Sequence, residues 1–244
     1  MTALEMKFDF LLKADELGIL SNKSFSDAEI DWLLNDSVGD KIRTTLNPNS
    51  NALGKGVEEI QKRTEDISSI LIRYPEQPEI PLIFHDDVNI YELDLTNLKY
   101  KYVYFLNGQV KQHKGNCQYD AVFRRLQSLN FGDSLKDPYN ASNEEEVLIN
   151  FGRNSSGTGS AIYLYPSPGY ILTNARISYI KEPQRIHQGT YENIRGVNPG
   201  RVDCELPEPV HPEIINIAVA KAAAIMKDVS SYQMFQNQII NSNE

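Results

Sequence analysis

Residues Pro209 to Ile240 read PVHPEIINIAVAKAAAIMKDVSSYQMFQNQII, and the reading of this stretch decides the fold. Ile214, Ile217, Ala218, Lys221, Ala222, Ile225, Val229, Tyr232 and Ile239 mostly recur at three- and four-residue steps, the period of an amphipathic helix. Pro212 falls where a first helical turn tolerates proline, and Glu213 beside it favours the positive end of the helix. Ala218, Ala220, Ala222, Ala223 and Ala224 leave part of the surface nearly flat, so another helix can approach closely. Such a helix predicts a return onto helices of the N-terminal region. The middle of the chain then becomes an insertion between helical ends.

The N-terminal region supplies candidate partners. Leu4, Phe8, Leu11, Leu12 and Leu17 form a helical stripe that Gly18 ends. Ser26 and Glu29 fit a capping box, with Phe25 placed to staple against Ile30. Ile30, Leu33, Leu34, Val38, Ile42 and Leu46 continue a stripe until Asn47-Pro48 breaks it. A third helix is expected from Val57 to Ile72, with Val57, Ile60, Thr64, Ile67 and Leu71 on one face and Glu58 able to pair with Lys62 on the other. Helices of this length joined by short loops predict an antiparallel bundle.

From Tyr74 the pattern changes. Pro75, Pro78 and Pro81 cannot continue a helix. Val88 to Leu95 alternates like a strand, as does Tyr100 to Leu106, which ends in the hairpin signal Asn107-Gly108 with Val110 to His113 as the returning partner. Asp120 to Leu129 has helical spacing and predicts a short helix, followed by a loop to Ser142. Val147 to Phe151 and Ala161 to Tyr165 read as strands joined by a Gly/Ser loop, and Ala175 to Ile180 as another that Pro183 stops. Gln184 to Pro207 predicts an irregular arm with one short strand. The expected class is α+β. It comprises an antiparallel helical bundle over 1–74, an inserted antiparallel β-rich domain with its arm over 75–207, and a long C-terminal helix over 208–244 packing back on the bundle.

The chain has 244 residues, 41% hydrophobic and 23% charged, enough to bury a core without staples. A net charge of −9 argues against a protein that grips phosphate backbones, yet an acidic wall suits DNA that must pass without sticking. The two cysteines, Cys117 and Cys204, read as reduced thiols. The opening residues lack a secretory signature, and no run approaches the ~18 apolar residues of a membrane helix. The Asn-x-Ser triplets at Asn22, Asn140 and Asn154 therefore read as chance matches.

Five features invite a chemical reading. Gly152 to Ser160 is glycine-rich, but its spacing is not a dinucleotide fingerprint, no lysine follows, and a strand comes next where a phosphate loop would open a helix. His85-Asp86-Asp87 offers three ligand types in a row, which rarely chelate one ion without distant help. His113, Cys117 and Asp120 are close in sequence, but a thiol nucleophile needs a base held by a third group, and no signature surrounds the cysteine. Tyr100, Tyr102, Tyr104 and Phe105 could line a platform for a sugar or base, or serve a core or interface. Arg124-Arg125 and Lys111 to Lys114 are too few for a nucleic-acid footprint. No catalytic, cofactor-binding or metal residue is assigned, and no cofactor is expected.

Three segments in order carry a resemblance. The helix start FSDAEIDWLLND, followed by VEEIQKRTEDISSI over Val57 to Ile70, resembles an E-x-x-Q-K-R-x-D-D-L segment. LKDPYNAS, Leu135 to Ser142, resembles a D-P-F-N-x-P segment, departing from it at Tyr139 and at Ala141-Ser142. ISYIKEPQRI, Ile177 to Ile186, leads to CELPEPVHPEIINIAV, Cys204 to Val219, and resembles a strand, arm and closing helix. Together they span about residues 26 to 230 and resemble the head-to-tail connector (adaptor, or ring) proteins of short-tailed phages, of the crAss-like type. The resemblance implies a structural virion protein with no enzymatic role, made in the host cytoplasm. On the order of a dozen copies would form a homo-oligomeric ring under the portal protein. That ring would extend the DNA ejection channel and dock neighbouring tail or ring proteins, with DNA passing through without sequence-specific binding and with no membrane involved. The alternative from the residues is a β-rich glycan- or receptor-binding module.

Overall fold

The computed structural model describes residues 1–16, 24–46, 61–86, 89–126, 132, 141–192 and 196–226. The chain divides into two compact units: residues 1–70 with 183–244, and residues 71–182.

Among the described residues, the first unit holds the α-helices α1 (Ala3–Glu16), α2 (Asp27–Leu46), α3 (Gln61–Asp66) and α4 (His211–Ile225). The capping box at α2 is formed: Ser26 N donates to Glu29 Oε2 at 2.9 Å, and Glu29 N donates to Ser26 Oγ at 3.4 Å. Ile30, Leu33, Leu34, Val38 and Ile42 are buried along the stripe that the spacing predicts. α1 is a helix but turns the other way. Ala3, Met6, Phe10 and Ala14 are buried, while Leu4, Phe8 and Leu12 are 53%, 71% and 53% exposed. α4 lies against both: Lys221 Nζ reaches Asp36 and Asp40 on α2 at 2.5 and 2.6 Å, and Lys13 Nζ on α1 donates to Asn216 Oδ1 at 2.9 Å. Residues 227–240 of the expected C-terminal helix lie outside the described residues.

The third helix is shorter than its period predicts. α3 ends at Asp66, a 3₁₀ turn covers Ser68–Ile70, and Leu71–Ile72 already forms strand β1. Isoleucines 67, 70 and 72 are β-branched and buried, which favours the sheet over a continued helix. Residues 57–60 lie outside the description. The arm from Gln184 is packed and carries two short antiparallel strands, β10 (His187–Gln188) and β11 (Arg201–Val202), instead of one. Asn35 fastens it, donating to Ile186 O at 2.9 Å and accepting from Ile186 N at 2.8 Å.

The second unit is one nine-stranded sheet built from β1, β2 (Ile80–Pro81), β3 (Ile83–His85), β4 (Ile90–Asp94), β5 (Tyr102–Lys114), β6 (Cys117–Arg125), β7 (Glu146–Arg153), β8 (Ser160–Tyr165) and β9 (Ile171–Lys181). The order is β1-β9-β5-β6-β7-β8-β4-β3, with β2 also on β9. Alternate residues of the longer strands, including Leu93, Val110, Ala121, Val147, Ile149, Ile162, Leu164, Ala175, Ile177 and Tyr179, form one core. Ile72 from one end of the order and Tyr91 from near the other belong to that same core, so the sheet curls around it.

The architecture corrects the expected class. The described residues are mostly a large curled mixed sheet accompanied by short helices, and they do not form an antiparallel helical bundle with an inserted antiparallel β domain. The sheet is mixed because β6 runs parallel to β7. Asp120 to Arg125, expected as helix, belongs to β6, whose Ala121 pairs with Val110 of β5. Asn107-Gly108 makes no turn and lies inside β5. A Cβ on Gly108 would sit 2.4 Å from Phe123 Cδ2, so glycine is there to let that ring lie across the backbone. The turn comes later, at Gly115-Asn116, where Gly115 takes φ +61° at the first of two turn residues. The hairpin of β7 and β8 and the strand β9 form as the sequence predicts.

Candidate functional site

The glycine-rich loop is a rigid hairpin end. Asn154 Oδ1 accepts from Thr158 N and Gly159 N, both at 3.0 Å, and Ser155 N donates to Glu92 Oε1 at 2.9 Å. Glu92 is fully buried, and its Oε2 lies 2.8 Å from His85 Nε2. His85 thus serves as a partner of Glu92 across the β3–β4 pair. Asp87 lies outside the described residues, and among those described no three His, Cys, Asp or Glu side chains could hold a metal ion. Ser155 Oγ is also on Glu92 Oε1, at 3.4 Å. Serine and imidazole hang on one carboxylate, an arrangement that pins the loop to the β3–β4 pair.

The β5–β6 register separates the other candidate dyad. His113 lies opposite Gln118 and Cys117 opposite Lys114, so His113 and Cys117 point to opposite faces of the hairpin. Asp120 lies opposite Lys111, on the side of His113.

The aromatic run does not make one platform. Register shifts between Tyr102 and Tyr104 and between Phe105 and Asn107 break the alternation. Tyr102 and Phe105 pack on the core, near Tyr179 at 6.5 Å and Phe123 at 6.2 Å between ring centres, while Val103 and Tyr104 are exposed.

The basic residues are largely engaged. Lys111 and Arg176 hold Glu79 at 2.9 and 2.6 Å, and their hydrogen bonds depress its carboxyl to about 2. Arg124 meets Glu146 at 3.0 Å, Arg125 lies over Phe151, and Lys114 lies over Tyr170.

Two features of the helical unit go beyond the sequence reading, which took Leu4, Phe8 and Leu12 for a packing stripe and did not single out a groove. One is the exposed stripe of Leu4, Phe8 and Leu12 on α1. The other is a groove of about 610 Å³ between α2 and the arm. Trp32, 61% exposed, forms part of its lining with Ile186, Pro199 and Val202, and Asp31, His187 and Tyr191 are among its polar lining. Asp31 Oδ2 accepts from Gln188 N at 2.9 Å and from the Tyr191 hydroxyl at 2.8 Å. Burial raises the Asp31 carboxyl above its usual range, and burial with the adjacent carboxylate pushes the Tyr191 phenol up. The sequence did carry a signal: Asp31 interrupts an otherwise apolar run at a buried helical position, beside the only tryptophan. Comparison with protein-family models gives no match, and neither does comparison with curated proteins.

Proposed function

We propose that this chain is a structural virion protein that forms an oligomeric ring in the head-to-tail connector of a short-tailed phage. The ring extends the portal DNA channel and docks the next tail component. One observation carries this reading. The helical unit exposes two different apolar surfaces, the α1 stripe and the Trp32-lined groove. A closed ring needs unlike patches, because each copy meets the next head to tail. The resemblance of the α2 start and of the segment from Ile177 to Val219 to connector proteins supports the same reading, as does a net charge of −9 on a protein lining a DNA passage. Among the described residues no helix is long and apolar enough to cross a membrane.

The test is a Phe8→Glu/Leu12→Glu variant, whose changes lie on exposed positions, co-sedimented with a portal ring from the same source. The wild type is expected to join the portal ring in stoichiometric amount and the variant to remain free with unchanged circular dichroism. Equal assembly of both proteins would remove the stripe from the interface.

A second reading, a glycan- or receptor-binding module, is favoured by the end of the β5–β6 hairpin. Tyr119 and Tyr170 stand edge to face at 6.2 Å there, and Tyr170 borders a polar cleft of about 550 Å³ with Asn143, Glu144 and Ser167. Aromatic faces flanked by polar groups suit sugars. A glycan screen of the wild type against Tyr170→Ala tests it: hits that vanish in the variant support a sugar site, and a blank screen removes it.

A further inference from the structure

The cleft of about 550 Å³ beside Tyr170 has walls that the fold holds in place. Gln112, fully buried, donates through Nε2 to Asn143 O at 2.9 Å and to Glu144 O at 2.7 Å. Asn143 Oδ1 accepts from Glu145 N and Glu146 N, both at 2.8 Å, and Asn143 N donates to Glu146 O at 2.9 Å. The turn that carries Tyr170 is fastened as well. Ser167 Oγ donates to Ser142 O, Tyr170 N donates to Ser167 O at 3.1 Å, and Gly169 takes φ +82° between them. A site fixed in this way loses little freedom when it is occupied.

The charged side chains of the lining are exposed and uncommitted. The carboxylates of Glu144 and Glu145 enter no ion pair among the described residues. Lys114 Nζ lies 4.8 Å from the centre of the Tyr170 ring and likewise enters no ion pair there. A carboxylate only accepts hydrogen bonds and an ammonium group only donates them. An anionic ligand would meet two carboxylates with like charge, a cation would leave Lys114 without an acceptor, and a hydrocarbon would strip water from three charges without replacing it. A neutral polyol answers all three, because each hydroxyl both donates and accepts. Pro168 and Tyr170 add apolar surface for the C–H face of a pyranose ring.

We propose that this cleft selects neutral hexopyranosides and excludes acidic sugars. Sugar hydroxyls donate to Glu144 and Glu145, a hydroxyl or ring oxygen accepts from Lys114, and the C–H face of the ring lies on Pro168 and Tyr170. The inference rests on the sugar-binding reading of this cleft and is independent of the connector reading.

The test is binding of the full chain to immobilised glucose, mannose and galactose trisaccharides, each presented also in a form ending in a uronic or sialic acid. The wild type is expected to bind at least one neutral trisaccharide, and its acidic form at least about tenfold more weakly. Glu144→Gln/Glu145→Gln, whose changes keep size at exposed positions, is expected to weaken the neutral sugar by about tenfold or more and to close the gap to the acidic form, with unchanged circular dichroism. Lys114→Met is expected to weaken the neutral sugar as well. Acidic forms that bind as tightly as the neutral ones, or a double glutamine variant that binds the neutral sugar like the wild type, would overturn the proposal. If those acidic forms lose binding in Tyr170→Ala, the sugar-binding reading stands and only the selectivity is wrong. No binding to any trisaccharide would overturn both.

Discussion

Lys41→Met is the sharpest test of how the helical unit is held together. Lys41 is 5% exposed and lies 3.3 Å from Asp66 Oδ2, with Glu213 Oε2 in direct contact on its other side. One ammonium thereby ties α2 to the end of α3 and to the first turn of α4. Removing one partner of a buried ion pair costs about 3–5 kcal/mol, because the remaining charge stays desolvated. Lys62 Nζ, 3.5 Å from Glu213 Oε1 and 57% exposed, still offsets part of that charge. The expected cost is therefore near the low end, about 3 kcal/mol. With a urea slope of roughly 2–3 kcal/mol/M, the unfolding midpoint falls by about 1 M or more. Trp32 lies on α2, so its fluorescence follows this unit through the urea titration. The triple variant Lys41→Met/Asp66→Asn/Glu213→Gln carries none of the three charges and is expected to regain all but about 1 kcal/mol. A single-variant loss below about 1 kcal/mol, or a triple variant less stable than the single, would refute the buried-charge argument.

Gly108→Ala places a Cβ 2.4 Å from Phe123 Cδ2 and is expected to cost about 1–3 kcal/mol in thermal unfolding, whereas a true turn glycine with positive φ would fail for a different reason. His211 is buried and its imidazole is held below its ordinary value by that burial. As pH falls through the ordinary imidazole range the unfolded chain takes up a proton that the fold refuses, so wild-type stability drops. His211→Gln keeps a donor for Leu206 O and is expected to lose that dependence, measured as the stability difference between the two proteins at successive pH values. Glu79, depressed to about 2, stabilises the sheet above the ordinary carboxylate range, and that contribution fades as pH falls through about 2. The deficit of Glu79→Gln at neutral pH should therefore vanish in strong acid. Cys117→Ala, at an exposed position facing away from His113, is expected to leave stability within about 0.5 kcal/mol and association unchanged.

Local chemistry was legible where one element answered one signal. Ser26 and Glu29 marked the start of α2, and the stripe from Ile30 to Ile42 marked its buried face. In α1 the period found the helix but not its face. Met6, Phe10 and the alanines compete with Leu4, Phe8 and Leu12, and only packing against α2 and α4 decides between two apolar stripes. β6 was misread because Ala121, Val122, Arg125 and Leu126 suit a helical period, while its hairpin partner β5 was expected to turn back earlier, at Asn107-Gly108, and its other neighbour β7 comes from further along the chain. The parallel pairing of β6 with β7 was not legible at all, since such a pair is joined by a long crossover that carries no local register. Asn107-Gly108 carried a turn signal that the ring of Phe123 overrode. The groove left one trace, a buried aspartate beside a lone tryptophan, but its other wall, with Ile186, His187 and Tyr191, comes from far away in sequence.

The measurement that reaches the central claim most directly is mass photometry of the purified protein, alone and mixed with a portal ring from the same source. The account predicts a ring-sized species of about a dozen copies, alone or only on the portal. A monomer whose mass is unchanged by portal at every concentration would contradict it.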